Sequence, residues 1–142
     1  MTTIDRFTGD HEFLSNYYAS PIEVDGILYA TVEHAFHAAK TLKLDEKRGI
    51  AAAATPGDAK RMGRLVEARA DWEEVKVGIM EDLVRLKFGT HSSLREMLLA
   101  TGDAQLIEGN WWKDTFWGVC RGAGRNELGK ILMRVRAELA KG

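Results

Sequence analysis

Apolar and polar positions along this chain follow two periods, and the switch between them marks its elements. Residues 22–29, Ile-Glu-Val-Asp-Gly-Ile-Leu-Tyr, put short apolar runs on either side of Asp25-Gly26. That dipeptide readily takes the left-handed backbone of a two-residue turn, so a β-hairpin is predicted. After it the period lengthens. Thr31 is placed as an N-cap, its hydroxyl accepting from a free amide of the first turn. A helix is predicted from residue 32 to about residue 43, with Val32, Ala35, Phe36, Ala39 and Leu42 on its core face. Thr55-Pro56-Gly57-Asp58 opens a second helix, with Pro at the first helical position and Asp in the first turn, running to about residue 66.

Asp71 starts a third helix, with Glu74 placed for the reciprocal bond of a capping box. Trp72, Val75, Ile79, Leu83 and Leu86 carry it to about residue 88. A short fourth helix covers residues 94–100 and stops at Thr101-Gly102. Residues 106–107 and 115–120 read as strands or extended loops. A last helix spans about residues 127–140, with Leu128, Ile131, Leu132, Val135 and Leu139 on one face. The predicted class is mainly α: a helix-rich α+β fold with a small N-terminal β-hairpin. No strand–helix alternation points to a parallel sheet. With no linker or repeat, residues 1–142 read as one domain.

Composition narrows the function. The chain has 142 residues, 20 Lys+Arg against 21 Asp+Glu, and a net charge of −1. It is long enough to bury a core without a metal or disulfide. The neutral balance excludes a protein held on nucleic acid by bulk charge. A single cysteine, Cys120, rules out an internal disulfide and points to a reducing, cytoplasmic setting. The first residues do not read as a secretion signal, and no apolar run approaches the ~20 residues that span a bilayer, so no membrane partner is expected. Charge is segregated, however. Residues 41–69 and 121–142 are rich in base, and residues 1–40 and 70–120 in acid.

On the first helix Glu33, His37 and Lys40 fall on one stripe, about one turn apart. One reading is a solvated charge stripe. The other is a catalytic carboxylate beside a lysine, the first serving as general acid or base and the second stabilising an anion or attacking a sugar carbon. A metal set of Glu33, His34 and His37 is disfavoured, because helical zinc pairs prefer i,i+4 spacing. No metal is expected.

Phe13-Leu14-Ser15-Asn16-Tyr17-Tyr18 reads as a buried aromatic loop or as a platform for a base, with Asn16 offering paired polar contacts. Residues 110–118 hold Trp111, Trp112 and Trp117 among Asn, Lys and Asp114, either packed or forming a stacking wall with Asp114 at its edge. Gly122-Ala123-Gly124-Arg125-Asn126 precedes the last helix, where an anion could bind, but Asn126 is favoured simply as an N-cap. Lys60, Arg61 and Arg64 share part of one helix face and could hold phosphates or be ordinary surface charge.

Together these segments resemble the YbiA/NADAR family, in the family's order and over nearly the whole chain. The matching stretches are Phe13 through Tyr18, Val32-Glu33-His34-Ala35-Phe36-His37-Ala38-Ala39-Lys40, Gly57-Asp58-Ala59-Lys60 with Gly63-Arg64, and Asp71-Trp72 with Lys76 and Met80. Further on come Leu99-Ala100-Thr101-Gly102, Glu108-Gly109-Asn110, Asp114-Thr115-Phe116-Trp117-Gly118-Val119, and Asn126 with Leu128 through Met133. The resemblance implies a mostly helical N-glycosidase that hydrolyses a ribosyl C–N bond without a cofactor. Two substrate classes are associated with it. One is ADP-ribose on guanine in nucleic acid, as DNA or RNA; the other is the phosphorylated ribosylamino-pyrimidine intermediates of riboflavin synthesis. It implies Glu33 and Lys40 at the reacting ribose with Asp114 as a third catalytic position. Ser15, Asn16, Tyr17, His37, Lys60, Arg64, Trp72, Trp117 and Asn126 are the implied substrate-binding set. His37 stands where the family usually has Gln, and Tyr17 where Phe is common.

Two other readings stay open: a non-catalytic ADP-ribose or nucleotide-binding module, and a partner-binding domain with Trp111 and Trp112 as an exposed patch. Oligomeric state is not legible. Lys60, Arg61, Arg64, Arg121 and Arg125 are expected to form a phosphate-holding wall facing an acidic centre at Glu33 and Asp114.

Overall fold

Helices carry most of the chain. The computed structural model describes residues 2–142. In chain order the elements are β1 (Thr3–Ile4), a 3-10 helix (Gly9–Leu14), β2 (Ile22–Val24), β3 (Ile27–Tyr29), α1 (Val32–Ala38), α2 (Leu44–Ala51), α3 (Pro56–Leu65), α4 (Trp72–Thr90), α5 (Ser92–Ala100), β4 (Gln105–Leu106), β5 (Gly109–Asn110), β6 (Val119–Cys120) and α6 (Glu127–Lys141). The class is helix-rich α+β, as the spacing predicts. Internal contacts gather into two units: Asn16–Thr90, and the residues up to Ser15 with His91–Gly142.

In the first unit, β2 and β3 form the expected antiparallel hairpin, with Ile22 opposite Tyr29. Asp25 and Gly26 both take positive φ, 50° and 82°, as its tight turn requires. Thr31 caps α1 by accepting from the His34 amide at 3.1 Å. Every residue of α1 is buried, because the helix packs against α2, α3, α4 and the hairpin. Thr55 caps α3 in the same way, accepting from the Asp58 amide at 3.0 Å, with Pro56 in the first turn.

Three expectations need correction in this unit. The first helix ends at Ala38 rather than near residue 43. The amides of Lys40 and Thr41 fold back onto the carbonyls of His37 and Ala38, both at 3.3 Å. The Lys47 ammonium also takes the Ala38 carbonyl, at 3.2 Å. Lys47 belongs to α2, a helix the apolar pattern does not announce: only Ile50 is buried on it and no side chain caps it. Leu42, assigned to the core face, is therefore exposed. Asp71 does not cap α4, because its carboxylate is engaged by Arg69 Nε at 2.6 Å. The buried stripe of α4 runs through Met80, Leu83, Val84, Lys87 and Phe88, with Val75, Ile79 and Leu86 only half-buried.

In the second unit β1 pairs with β4, and β5 with β6. Both pairings are parallel, so the chain does contain parallel ladders, each two residues long. α6 buries Leu128, Ile131, Leu132 and Val135, as its periodicity predicts, and packs on β4 and α5. Asn126 is not a side-chain cap for α6. It sits in the left-handed region, φ 55°, and its amide clips the segment before β5. Oδ1 accepts from the Glu108 amide and Nδ2 donates to the Leu106 carbonyl, both at 2.9 Å. Gly129, one turn on, has no room for a Cβ beside that clip. Among the described residues no helix is long and apolar enough to cross a membrane.

Candidate active site

α1 buries a carboxylate and an imidazole together. Glu33 and His37 are each 8% exposed, and the imidazole Nε2 meets Glu33 Oε2 at 3.1 Å across one helical turn. Burial removes the solvated-stripe reading of these two residues. A carboxylate taken out of water is costly unless it is hydrogen-bonded, and His37 supplies that bond. The Glu33 amide donates to the Asn16 carbonyl at 3.1 Å, tying the loop before the hairpin to the first turn of α1. Asn16 in turn directs Nδ2 at the Met80 sulfur, 3.5 Å away on α4.

Tyr17 follows at the surface, 46% exposed. Partial burial lifts its phenol above the ordinary range and the Glu33 carboxylate adds to the rise, while Arg64 and Arg61 oppose it. Those four side chains therefore share one field. Arg61 is ion-paired with Asp58 on its own helix, and Arg64 is exposed. Lys40 lies in the turn after α1, half-buried. Burial first, and Arg64 second, hold its ammonium below the usual lysine range, with Lys76 acting in the same sense and Glu73 against it. Lys60 is half-buried on α3. Trp72 is buried against Phe36, ring centroids 5.0 Å apart, so its present contact is packing beneath α1. His34 is no metal ligand here: Thr31 Oγ1 at 2.8 Å and the Ala53 carbonyl at 3.0 Å occupy its two ring nitrogens.

The second unit holds the other candidates. Asp114 Oδ1 accepts from the amides of Phe116, at 3.1 Å, and Trp117, at 2.9 Å, so this carboxylate folds the loop that carries Trp117. Asn110 holds the same loop through the Asp114 backbone, at 2.9 and 3.0 Å. Trp117 is half-buried with its ring edge-on to Phe116, centroids 4.8 Å apart. Arg125 lies over the other aromatic of this pair, Phe116, and pairs with Glu127. Trp111 and Trp112 stand in solvent, edge to face at 5.6 Å. Ser15 ends the 3-10 helix, its amide bonded to the Glu12 carbonyl.

Two residues of the first unit have roles that the sequence does not assign. Gly63 lies so close to His37 that an added Cβ would stand 2.8 Å from the imidazole Cβ and Cγ. Lys87 is 1% exposed, beside the rings of Tyr18 and Phe88, and burial pushes its ammonium down to about 7. The spacing of Met80, Leu83, Val84 and Lys87 is an i, i+3, i+4, i+7 stripe, which marks position 87 as inward-facing. The residue type hid it.

The NADAR domain family matches residues 5–140. The chain belongs to the NADAR family. Among NADAR relatives, the N-glycosidase YbiA of Escherichia coli (strain K12) is 41% identical over 134 residues, spanning 92% of this chain and 83% of that protein. An N-glycosidase of Nostoc punctiforme is 43% identical over 131 residues, 88% of this chain and 83% of that one. A riboflavin biosynthesis protein of Vibrio vulnificus is 42% identical over 135 residues, 92% of this chain but only 36% of that larger protein. The NMR structure of E. coli YbiA superposes with a TM-score of 0.89 at 39% identity, covering 99% of this chain and 86% of that one. This NADAR protein is an enzyme, a hydrolase of N-glycosyl bonds.

Proposed function

We propose that the enzyme cleaves the bond between a ribosyl carbon and nitrogen in a phosphorylated substrate. That substrate is either ADP-ribose on guanine in nucleic acid or a phosphorylated ribosylamino-pyrimidine intermediate of riboflavin synthesis. The observation that carries this reading is the buried Glu33 carboxylate on α1, in one electrostatic field with Tyr17, Arg61 and Arg64. Breaking a glycosidic C–N bond builds positive charge on the ribose. A carboxylate held out of water stabilises that charge and activates the attacking water. Arg64 and Arg61 suit the phosphate of either substrate, because a guanidinium meets phosphate oxygens with paired donors. The Tyr17 ring offers a face for the base.

Lys40 is the second reacting group. A lysine held below its ordinary range has more free amine at neutral pH, which favours addition to the aldehyde of the ring-opened ribose with loss of water to give an imine. Water then hydrolyses that imine to release the sugar and the free amine. Borohydride added during turnover is expected to trap a sugar adduct on Lys40. A fully active Lys40→Ala enzyme without adduct would reduce Lys40 to an electrostatic role or to none. Asp114 acts by holding the Trp117 loop in shape. Its removal is expected to raise KM as the loop loosens.

Turnover of the two substrate types side by side tests the proposal. Release of free ADP-ribose from ADP-ribosylated guanine DNA, or of the ribosyl phosphate from the pyrimidine intermediate, supports it. Binding of both without release of either would contradict it.

A further inference from the structure

His37 has one nitrogen on Glu33 and one on nothing. Nε2 meets the carboxylate at 3.1 Å. Nδ1 is sealed from solvent and has no hydrogen-bond partner among the described residues. It faces Gly63, inside α3, where the approach is too close for a side chain. Gly63 lies in the last turn of α3, and the direction its missing side chain would take runs straight at the ring, with no backbone carbonyl accepting from Nδ1. What Gly63 shows to the imidazole is therefore Cα–H, which donates weakly and cannot accept.

That asymmetry decides where the shared proton sits. If Glu33 carried it and donated to Nε2, the neutral imidazole would hold its own proton on Nδ1, as a buried donor with no acceptor. A doubly protonated ring would leave the same orphan. Buried N–H groups without partners are the rarer and costlier defect, whereas a bare acceptor against C–H is better tolerated. With the proton on Nε2, the ring donates to Glu33 and shows only a lone pair to Gly63.

We infer that His37 is a positioning residue, locked by Gly63 in the Nε2–H tautomer, that keeps Glu33 aimed and acting as a proton acceptor. This rests on the assignment of Glu33 to the reaction and narrows it: Glu33 enters as the carboxylate rather than as the acid. It takes the proton of the attacking water, and solvent water supplies the proton for the leaving nitrogen. Gly63 belongs to the device, because any larger residue would push the ring off Glu33.

The direct test is the ring ¹⁵N spectrum of the labelled enzyme at neutral pH, with the His37 signals assigned by their absence in His37→Gln. The expected result is a protonated Nε2 and an unprotonated Nδ1; a proton on Nδ1 overturns the inference. Kinetics give a second arm. His37→Leu is expected to lower kcat by roughly ten- to a hundredfold, the loss of one hydrogen bond to a charged group, with KM little changed. His37→Gln, which restores an amide donor, is expected to recover most of that loss. Gly63→Ala should lower kcat as His37→Leu does, and thermal melts report whether any variant has simply unfolded. If Glu33→Gln is inactive while folded His37→Leu and Gly63→Ala keep full kcat, the positioning role fails and the catalytic assignment stands. If Glu33→Gln keeps full activity, the catalytic assignment itself fails.

Discussion

Lys87 shows what burial does to one side chain. Its ammonium lies in the core with a value near 7 rather than 10.5. Below about pH 7 the lysine is charged in both the folded and unfolded states, so the full cost of burying the charge is present. Between about 7 and 10.5 the folded protein releases its proton first and the unfolded chain binds more, so stability rises with pH across that window. The melting temperature of Lys87→Met relative to wild type should therefore be highest at about pH 6 and fall progressively towards about pH 10. A difference that is equal at both ends would contradict the shift. The position was legible from the stripe it completes, but the residue was not. Glu33 and His37 illustrate the reverse case. Their spacing was plain in the sequence, but only the packing of three helices and a hairpin around α1 shows that the pair is buried.

Elements were legible where local chemistry decides them. The Asp25-Gly26 turn, the Thr31 and Thr55 caps and the apolar face of α6 each depend on residues within a turn or two of one another. The end of α1 was not legible, because it depends on Lys47 reaching back to Ala38 from a helix with little apolar pattern of its own. Asp71 and Asn126 were misplaced as caps for different reasons. Asp71 lost its role to Arg69 two residues away, whereas Asn126 found its partners at Leu106 and Glu108, far off in sequence. The two kept caps should differ in worth. Thr31→Ala removes an N-cap and also leaves a His34 nitrogen unpaired in the core, so it should cost about 2 kcal/mol in urea unfolding. Thr55→Ala loses only an exposed cap and should cost about 1 kcal/mol or less. Equal losses would show that the His34 bond contributes nothing.

Across the molecule, near-neutrality conceals local poles. Net charge is −1, yet Arg61 and Arg64 share a field with Glu33 and Tyr17. On the proposed function, substrate is recognised locally through its phosphorylated ribosyl group, and a chain of net charge −1 has no basic surplus to hold a polymer. Affinity for unmodified DNA at about 150 mM salt should therefore be weak, as fluorescence anisotropy would show. Tight, steeply salt-dependent binding would contradict that view. Family membership was legible from motifs spread along the chain, each weak alone. Which of them meet was not, because contacts such as Asn16 with Met80 join residues far apart in sequence. The central claim is that Glu33 carries the glycosidic chemistry, and single-turnover hydrolysis of ADP-ribosylated guanine DNA and of the ribosylamino-pyrimidine phosphate by wild type and Glu33→Gln tests it most directly. Wild type is expected to cleave at least one substrate, and Glu33→Gln to do so about a hundredfold or more slowly while still melting cooperatively. Undiminished cleavage by Glu33→Gln would contradict it.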